Sequence, residues 1–166
     1  MRARAISCCF SGYRPDKLPW GEEENDPRCL ALKRRLQDAV EAACQEGFCH
    51  FIVGMADGVD LYCCELVQSL RSRYPITVEA AVPCRGQAGR WSRKKRLRYD
   101  VLLAGCDQVT VLQEEYDPGC MLRRNRYMVD HAAMLIAVFD GQPGGTQSTV
   151  AYAMKKGLAI TLIPPV

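Results

Sequence analysis

Short apolar runs and amphipathic stretches alternate along this chain from end to end. Ala5 to Phe10 is a compact apolar run of strand length. It stops at Ser11-Gly12, ahead of a polar loop containing Pro15, Pro19 and Gly21. Asp26-Pro27 then offers a helix cap followed by proline at the first helical position. Leu32, Leu36, Ala39 or Val40, and Ala43 recur at helical spacing, with Gly47 as the stop. Phe48 to Val53 predicts a second strand. From Gly58, the face made by Val59, Tyr62, Cys63, Leu66 and Leu70 predicts a second helix that ends before Pro75.

The alternation continues. Ile76 to Val82 predicts a third strand, and Trp91, Leu97, Val101, Leu102 and Ala104 a third helix that ends at Gly105, with Trp91 and Leu97 facing the core. Gln108 to Leu112 gives a fourth strand, Met121 to Asp130 a helix, and Met134 to Phe139 the most apolar strand of all. Thr146 to Lys156 predicts a last helix and Leu158 to Ile163 a last strand. Six strands alternating with five helices, the strands apolar throughout rather than in alternation, indicate an α/β fold: a doubly wound parallel sheet covered on both faces. The expected strand order is 3-2-1-4-5-6, in one domain over 1–166.

In such a sheet, ligands sit beyond the carboxyl ends of the strands. Three of those ends are rich in glycine: Ser11-Gly12-Tyr13-Arg14-Pro15, then Gly54-Met55-Ala56-Asp57-Gly58-Val59-Asp60, then Asp140-Gly141-Gln142-Pro143-Gly144-Gly145-Thr146. Glycine admits close backbone approach, and a following helix N-terminus presents free N–H groups with a favourable dipole. The expected ligand contacts are therefore Ser11, Gly12, Arg14, Gly54, Ala56, Gly58, Asp60, Gly144, Gly145 and Thr146, joined by Arg124 and Asn125. Arg14 and Arg124 suit phosphate oxygens. Asp60 would accept from a ribose hydroxyl or a base, or cap its helix; Asp130 would do the same or pair with Arg126. Neither a Walker pattern nor a G-x-G-x-x-G fingerprint is present, so ATP hydrolysis and NAD-dependent redox chemistry are not expected.

Composition adds three constraints. The longest apolar run, Ala132 to Phe139, is far short of the roughly 20 residues of a membrane span. The ten cysteines include the neighbours Cys8-Cys9 and Cys63-Cys64 inside apolar segments, with no C-x-x-C and no histidine at ligand spacing. They read as reduced, buried thiols in a cytoplasmic protein, with no metal and no required cofactor. Finally, the net charge of +3 conceals an acidic Glu22-Glu23-Glu24 and a basic segment with seven Lys or Arg and no acid between Arg85 and Arg98.

The ordered motifs, from Ser11-Gly12-Tyr13-Arg14-Pro15 and Gly54-Met55-Ala56-Asp57-Gly58-Val59-Asp60 through Arg124-Asn125-Arg126-Tyr127-Met128-Val129-Asp130 to Pro143-Gly144-Gly145-Thr146, resemble the SLOG superfamily of Rossmann-like domains, in its YpsA-like branch. The resemblance implies a cytosolic, bacterial-type protein that binds or senses a nucleotide or nucleotide-derived small molecule. It also implies a regulatory role, of the kind associated with cell division and stress in Gram-positive bacteria, with a regulatory protein partner and a homo-oligomer in view.

Two alternatives come from the same superfamily. The LOG phosphoribohydrolases carry M-x-x-R-K before P-G-G-x-G-T-x-x-E. Met121-Leu122-Arg123-Arg124-Asn125 matches the first with Asn125 in place of Lys, while the second is shortened and Thr149 stands where the Glu is expected. Glycosidic cleavage needs a carboxylate, so turnover is disfavoured unless Glu114, Glu115, Asp117 or Asp140 substitutes, and no catalytic residue is assigned. The second alternative is DprA-like binding of single-stranded nucleic acid through the basic 85–98 segment, with Trp91 and Tyr99 nearby.

Overall fold

A computed structural model describes residues 3–166. Eleven regular elements follow one another: β1 (Ser7–Ser11), α1 (Pro27–Gln45), β2 (His50–Val53), α2 (Val59–Leu70), β3 (Thr77–Val82), α3 (Arg93–Ala104), β4 (Gln108–Val111), α4 (Cys120–Asp130), β5 (Met134–Val138), α5 (Gly145–Lys155) and β6 (Ala159–Ile163). All strand pairs are parallel, as a chain of β-α-β units requires. The element boundaries lie within two residues of the expected ones, except that Ala5 and Ile6 form a short 3₁₀ turn before β1.

Strand order differs from the expectation. The observed order is β4-β3-β2-β1-β5-β6, so the fourth strand extends the sheet beyond β3 instead of returning beside β1. Side-chain character accounts for it. Gln108 and Val109 of β4 are exposed and Thr110 and Val111 half-buried, which suits an edge, whereas every position of β5 is buried. A strand without polar positions belongs in the interior of the sheet, and β5 takes the place beside β1, with Cys8 against Met134 and Ser11 against Ala137.

Alternation along the strands divides the core into two layers. Cys8, Phe10, Phe51, Val53 and Ile136 face one side, packed by α1, α2 and α3; Cys9, Ile52, Leu135 and Ala137 face the other, packed by α4 and α5. Helix α1 buries Cys29, Leu32, Leu36, Val40 and Ala43 on one stripe, and the Asp26 carboxylate caps it by accepting from the Arg28 N–H at 2.8 Å. All ten cysteines are free, seven of them buried. Among the described residues, no helix is long and apolar enough to cross a membrane.

The third helix corrects a second expectation. Leu97 is 65% exposed and Val101 63%, and only Tyr99 and Leu102 of α3 are buried. Trp91 does pack toward the core, edge-on against Tyr99 at 5.3 Å.

Candidate functional site

The chain leaves β1 toward β2 on one side and leaves β5 toward β6 on the other, so the two strand ends diverge. A crevice opens at such a point. Here it is a cavity of about 270 Å³ beyond Ser11, walled by the β1–α1 segment, the first turns of α2 and α4, and the start of α5.

The helices themselves differ in a way that matters for charge. Helices α1 and α3 are capped by the side chains of Asp26 and Ser92. Helices α2, α4 and α5 begin at Gly58, Gly119 and Gly144, with no side-chain cap among the described residues. The three helices whose N-terminal turns wall the crevice are thus the three that leave leading N–H groups without a side-chain acceptor. Such ends favour an anion.

Nine of the twelve expected contact residues line the crevice: Ser11, Gly12, Arg14, Ala56, Asp60, Arg124, Asn125, Gly145 and Thr146. The other three, Gly54, Gly58 and Gly144, lie behind it and act through the backbone. Gly58 has φ +93°, and a β-carbon there would sit 2.5 Å from the Tyr13 carbonyl oxygen. That carbonyl accepts from the Val59 N–H at 3.1 Å, which fastens the first loop to the second. Gly54 leaves room for two side chains above it, since a β-carbon would meet Asp60 Oδ2 at 2.7 Å and Arg124 Cζ at 2.9 Å.

Those two side chains are the buried charges of the site. Arg124 is 3% exposed and Asp60 8%. The guanidinium donates to the Gly54 carbonyl, to Asn125 Oδ1 at 2.8 Å and to the Met121 sulfur at 3.8 Å. These contacts leave part of its donor capacity unused. Asp60 Oδ2 accepts from the Ala56 N–H at 3.2 Å. Burial pushes the Asp60 carboxyl above its ordinary value, against the pull of Arg124, the Ala56 N–H and Arg14. Burial likewise pushes Arg124 below its ordinary value, with Asp60 opposing. Each charge is stabilised chiefly by the other across the crevice floor.

Phe10, Tyr13, Asp16, Lys17 and Met121 also line the crevice. Tyr13 ties the first loop to the third: its hydroxyl donates to Asp140 Oδ1 at 2.6 Å and accepts from the Asp140 and Gln142 N–H groups at 3.2 and 3.3 Å. Lys17 does the same through the Pro143 carbonyl at 2.6 Å. Both residues stand in the first loop, so their nearness to glycine was the available signal; their partners lie more than a hundred residues away.

Other candidates lie elsewhere. Thr149 is buried, and its hydroxyl donates to the Gly145 carbonyl at 2.9 Å within α5. Glu114 pairs with Arg85, Asp117 with Arg123, and Asp140 is held by Tyr13, so none of these carboxylates lines the crevice; nor does Glu115. Asp130 accepts from the Tyr152 hydroxyl at 2.8 Å, while Arg126 stacks over the Tyr152 ring instead of pairing with Asp130. The basic segment is neutralised in part: Lys95 pairs with Glu22 and with Asp57 at 2.7 Å, and Arg98 with Glu65 and with Glu24 at 2.6 Å, while Arg90, Arg93, Lys94 and Arg96 are exposed with no carboxylate partner among the described residues.

A parallel doubly wound sheet, with uncapped helix ends around a crevice at its switch point, defines a Rossmann-like α/β domain. The sequence model of the YspA SLOG family (YpsA) matches residues 8–163, and the chain belongs to that family. The SPbeta prophage-derived protein YoqJ of Bacillus subtilis (strain 168) is 31% identical over 144 residues, covering 78% of this chain and 84% of YoqJ. A UPF0398 protein of Bacillus thuringiensis (strain Al Hakam) is 28% identical over 152 residues, covering 89% of this chain and 82% of that one.

Among solved structures, DNA processing protein A (DprA) of Streptococcus pneumoniae superposes with a TM-score of 0.64 at 16% identity over 95% of this chain. The Helicobacter pylori protein, described for its single-stranded DNA binding mode, gives 0.65 at 15% identity over 96%. This chain spans 50% and 65% of those two proteins. At such identities the likeness establishes the fold.

Proposed function

We propose that the crevice binds a nucleotide or nucleotide-derived small molecule and that the protein acts by binding, as a regulatory or sensing domain without turnover. The observation that carries this reading is Arg124. It is a guanidinium buried to 3% exposure on the crevice wall, hydrogen-bonded to neutral protein acceptors, with Asp60 as a counter-charge across the floor but no carboxylate within ion-pair distance among the described residues. A buried cation with spare donors, facing the uncapped start of α5, suits a phosphate that completes its hydrogen bonding. Asp60, on the same wall, provides the acceptor for a ribose hydroxyl or a base N–H. The lining carboxylates are Asp60, engaged by the Ala56 N–H, and the exposed Asp16; no second buried carboxylate stands by to activate water.

Gly145→Glu tests the reading. A β-carbon at Gly145 meets nothing within 4 Å, so the variant should fold while placing a carboxylate among the N–H groups of α5. Calorimetric titration with nucleoside mono- and diphosphates should give micromolar binding that the variant abolishes. Release of free base from nucleoside monophosphates would replace binding with hydrolysis. Steeply salt-dependent binding of single strands, weakened by neutralising Arg93, Lys94 and Lys95, would assign the surface to nucleic acid instead.

A further inference from the structure

A second cavity, of about 300 Å³, adjoins the crevice. It is bounded by Gln87, Arg90, Trp91, Tyr116 and Met121, and Met121 lines the crevice as well. The two spaces share a second element: the Gly54 carbonyl accepts from Arg124 on the crevice side and from Gln87 Nε2, in a long contact of 3.5 Å, on the other. The second cavity has the components of a stacking site. Trp91 is held edge-on by Tyr99, which fixes its ring, and Tyr116 is 68% exposed. Within the basic segment Arg85, Lys95 and Arg98 are ion-paired, while Arg90 is exposed and has no carboxylate partner among the described residues.

Size points the same way. Small-molecule sites commonly occupy roughly 300–1,000 Å³. Either cavity alone is at or below the low end of that range; the two joined fall inside it.

We infer that the second cavity is a subsite continuous with the crevice, and that the ligand is a nucleotide carrying a second nucleoside beyond its phosphates, a dinucleoside polyphosphate in class. One nucleoside and the phosphates occupy the crevice against Arg124 and the start of α5. The chain of the ligand passes Met121, and the second nucleoside lies against Tyr116 and Trp91 with Arg90 beside its base and ribose. Aromatic platforms accept any base face, so this subsite selects for the presence of a second ring more than for its identity. The inference rests on the nucleotide reading of the crevice.

ADP-ribose and diadenosine diphosphate carry the same diphosphate diester at the same charge and differ only by the second adenine, which makes them the matched pair for calorimetry. Diadenosine diphosphate should bind about tenfold more tightly than ADP-ribose. Tyr116→Ala should bring it down to the affinity of ADP-ribose, and Arg90→Ala should weaken it by several-fold; both residues are exposed, so the fold should tolerate either change. Equal affinity for the two compounds in the unaltered protein would overturn the subsite and leave the crevice standing. Tyr116→Ala weakening ADP-ribose as much as diadenosine diphosphate would also overturn it. Failure of both compounds to bind would remove the crevice reading as well. An oligodeoxyadenylate bound more tightly than diadenosine diphosphate, and lost in Tyr116→Ala, would reassign the platform to a nucleic-acid strand.

Discussion

The most direct test of how the site is assembled is a single added methyl group. Gly12 opens the loop after β1, directly against the start of α2. A β-carbon at that position would lie 2.6 Å from Val59 Cβ, 3.0 Å from Cγ2 and nearer still to Cγ1. Carbon atoms rest at about 3.5–4.0 Å, so Gly12→Ala forces a displacement of about 1 Å between the β1–α1 loop and α2. Val59 is fully buried and cannot swing aside into solvent. Overpacking of this kind costs about 1–3 kcal/mol, and for a chain of this length that is a fall of about 2–12 °C in Tm. Because the shifted loop carries Arg14 and adjoins Ser11, the crevice lining is displaced and nucleotide affinity should fall with stability. Urea and thermal unfolding read the first effect and calorimetry the second. A double-mutant cycle isolates the cause: Val59→Gly removes the β-carbon and both γ-carbons that the new methyl would meet, so the pair should lose less than the sum of the single losses by at least about 0.5 kcal/mol. Unchanged stability in Gly12→Ala, or strict additivity in the cycle, would refute the close-approach argument.

Two other perturbations probe buried charge. Glu79 of β3 is 4% exposed and hydrogen-bonds to His50 Nε2 at 2.8 Å, Thr110 Oγ1 at 2.8 Å and the Tyr127 hydroxyl at 2.7 Å. Burial pushes its carboxyl up, but the His50, Tyr127 and Thr110 contacts outweigh burial and hold it below its ordinary value of 4.5. A depressed carboxyl stabilises the fold above that value and stops doing so as pH falls through the folded pKa. Glu79→Gln should therefore cost about 1–3 kcal/mol at pH 7, and urea melts should show the gap closing toward acid. A gap that stays constant with pH would sink this reading. Asp60 behaves in the opposite sense, since its carboxyl lies above its ordinary value of 3.8. Ionising it removes stability as pH rises past that value, and Arg124 limits the loss. In Arg124→Met the Asp60 carboxyl should titrate at higher pH than in the unaltered protein, measured by carbon NMR; an unmoved titration would show that the two charges do not interact.

Much of this architecture is legible before folding because it rests on local physics. The Asp26 cap and the Leu32, Leu36 and Val40 stripe define α1, and the glycines at the strand ends mark where the backbone must turn. Strand order is different, because it is a competition among strands for interior places. The polar Gln108 and Thr110 carried the information, yet a four-residue strand gives it only by comparison with the uniformly apolar Met134–Val138. Leu97 misleads because α3 has apolar residues on two faces, and only packing decides which is buried. Tyr13 and Lys17 act on the third loop across more than 120 residues of sequence, and no spacing rule encodes such a contact.

The distribution of charge ties the fold to the proposed binding. Glu22 and Glu24 lie against the Lys95 and Arg98 of α3, and Asp57, from the second glycine loop, joins Lys95 at 2.7 Å. The acidic stretch thus neutralises Lys95 and Arg98, and that contact also holds the β1–α1 connection and the β2–α2 loop in one place. Exposed ion pairs of this sort add little stability, roughly 0–1 kcal/mol each, so their larger effect is on where the unpaired positive charge remains. The crevice lining carries Arg14, Lys17 and Arg124 against Asp16 and Asp60, a small positive excess beside helix ends whose N–H groups are open. A compact anion approaching this side of the molecule meets a local positive field that the modest net charge of +3 does not reveal. Arg90, Arg93, Lys94 and Arg96 stay exposed and unpaired among the described residues, so α3 and the turn before it keep a second basic patch outside the crevice. The ion pairs that fix the loops in position thus leave two basic surfaces, one inside the crevice for the compact anion proposed above and one exposed on α3, and the salt dependence of any strand binding tells them apart.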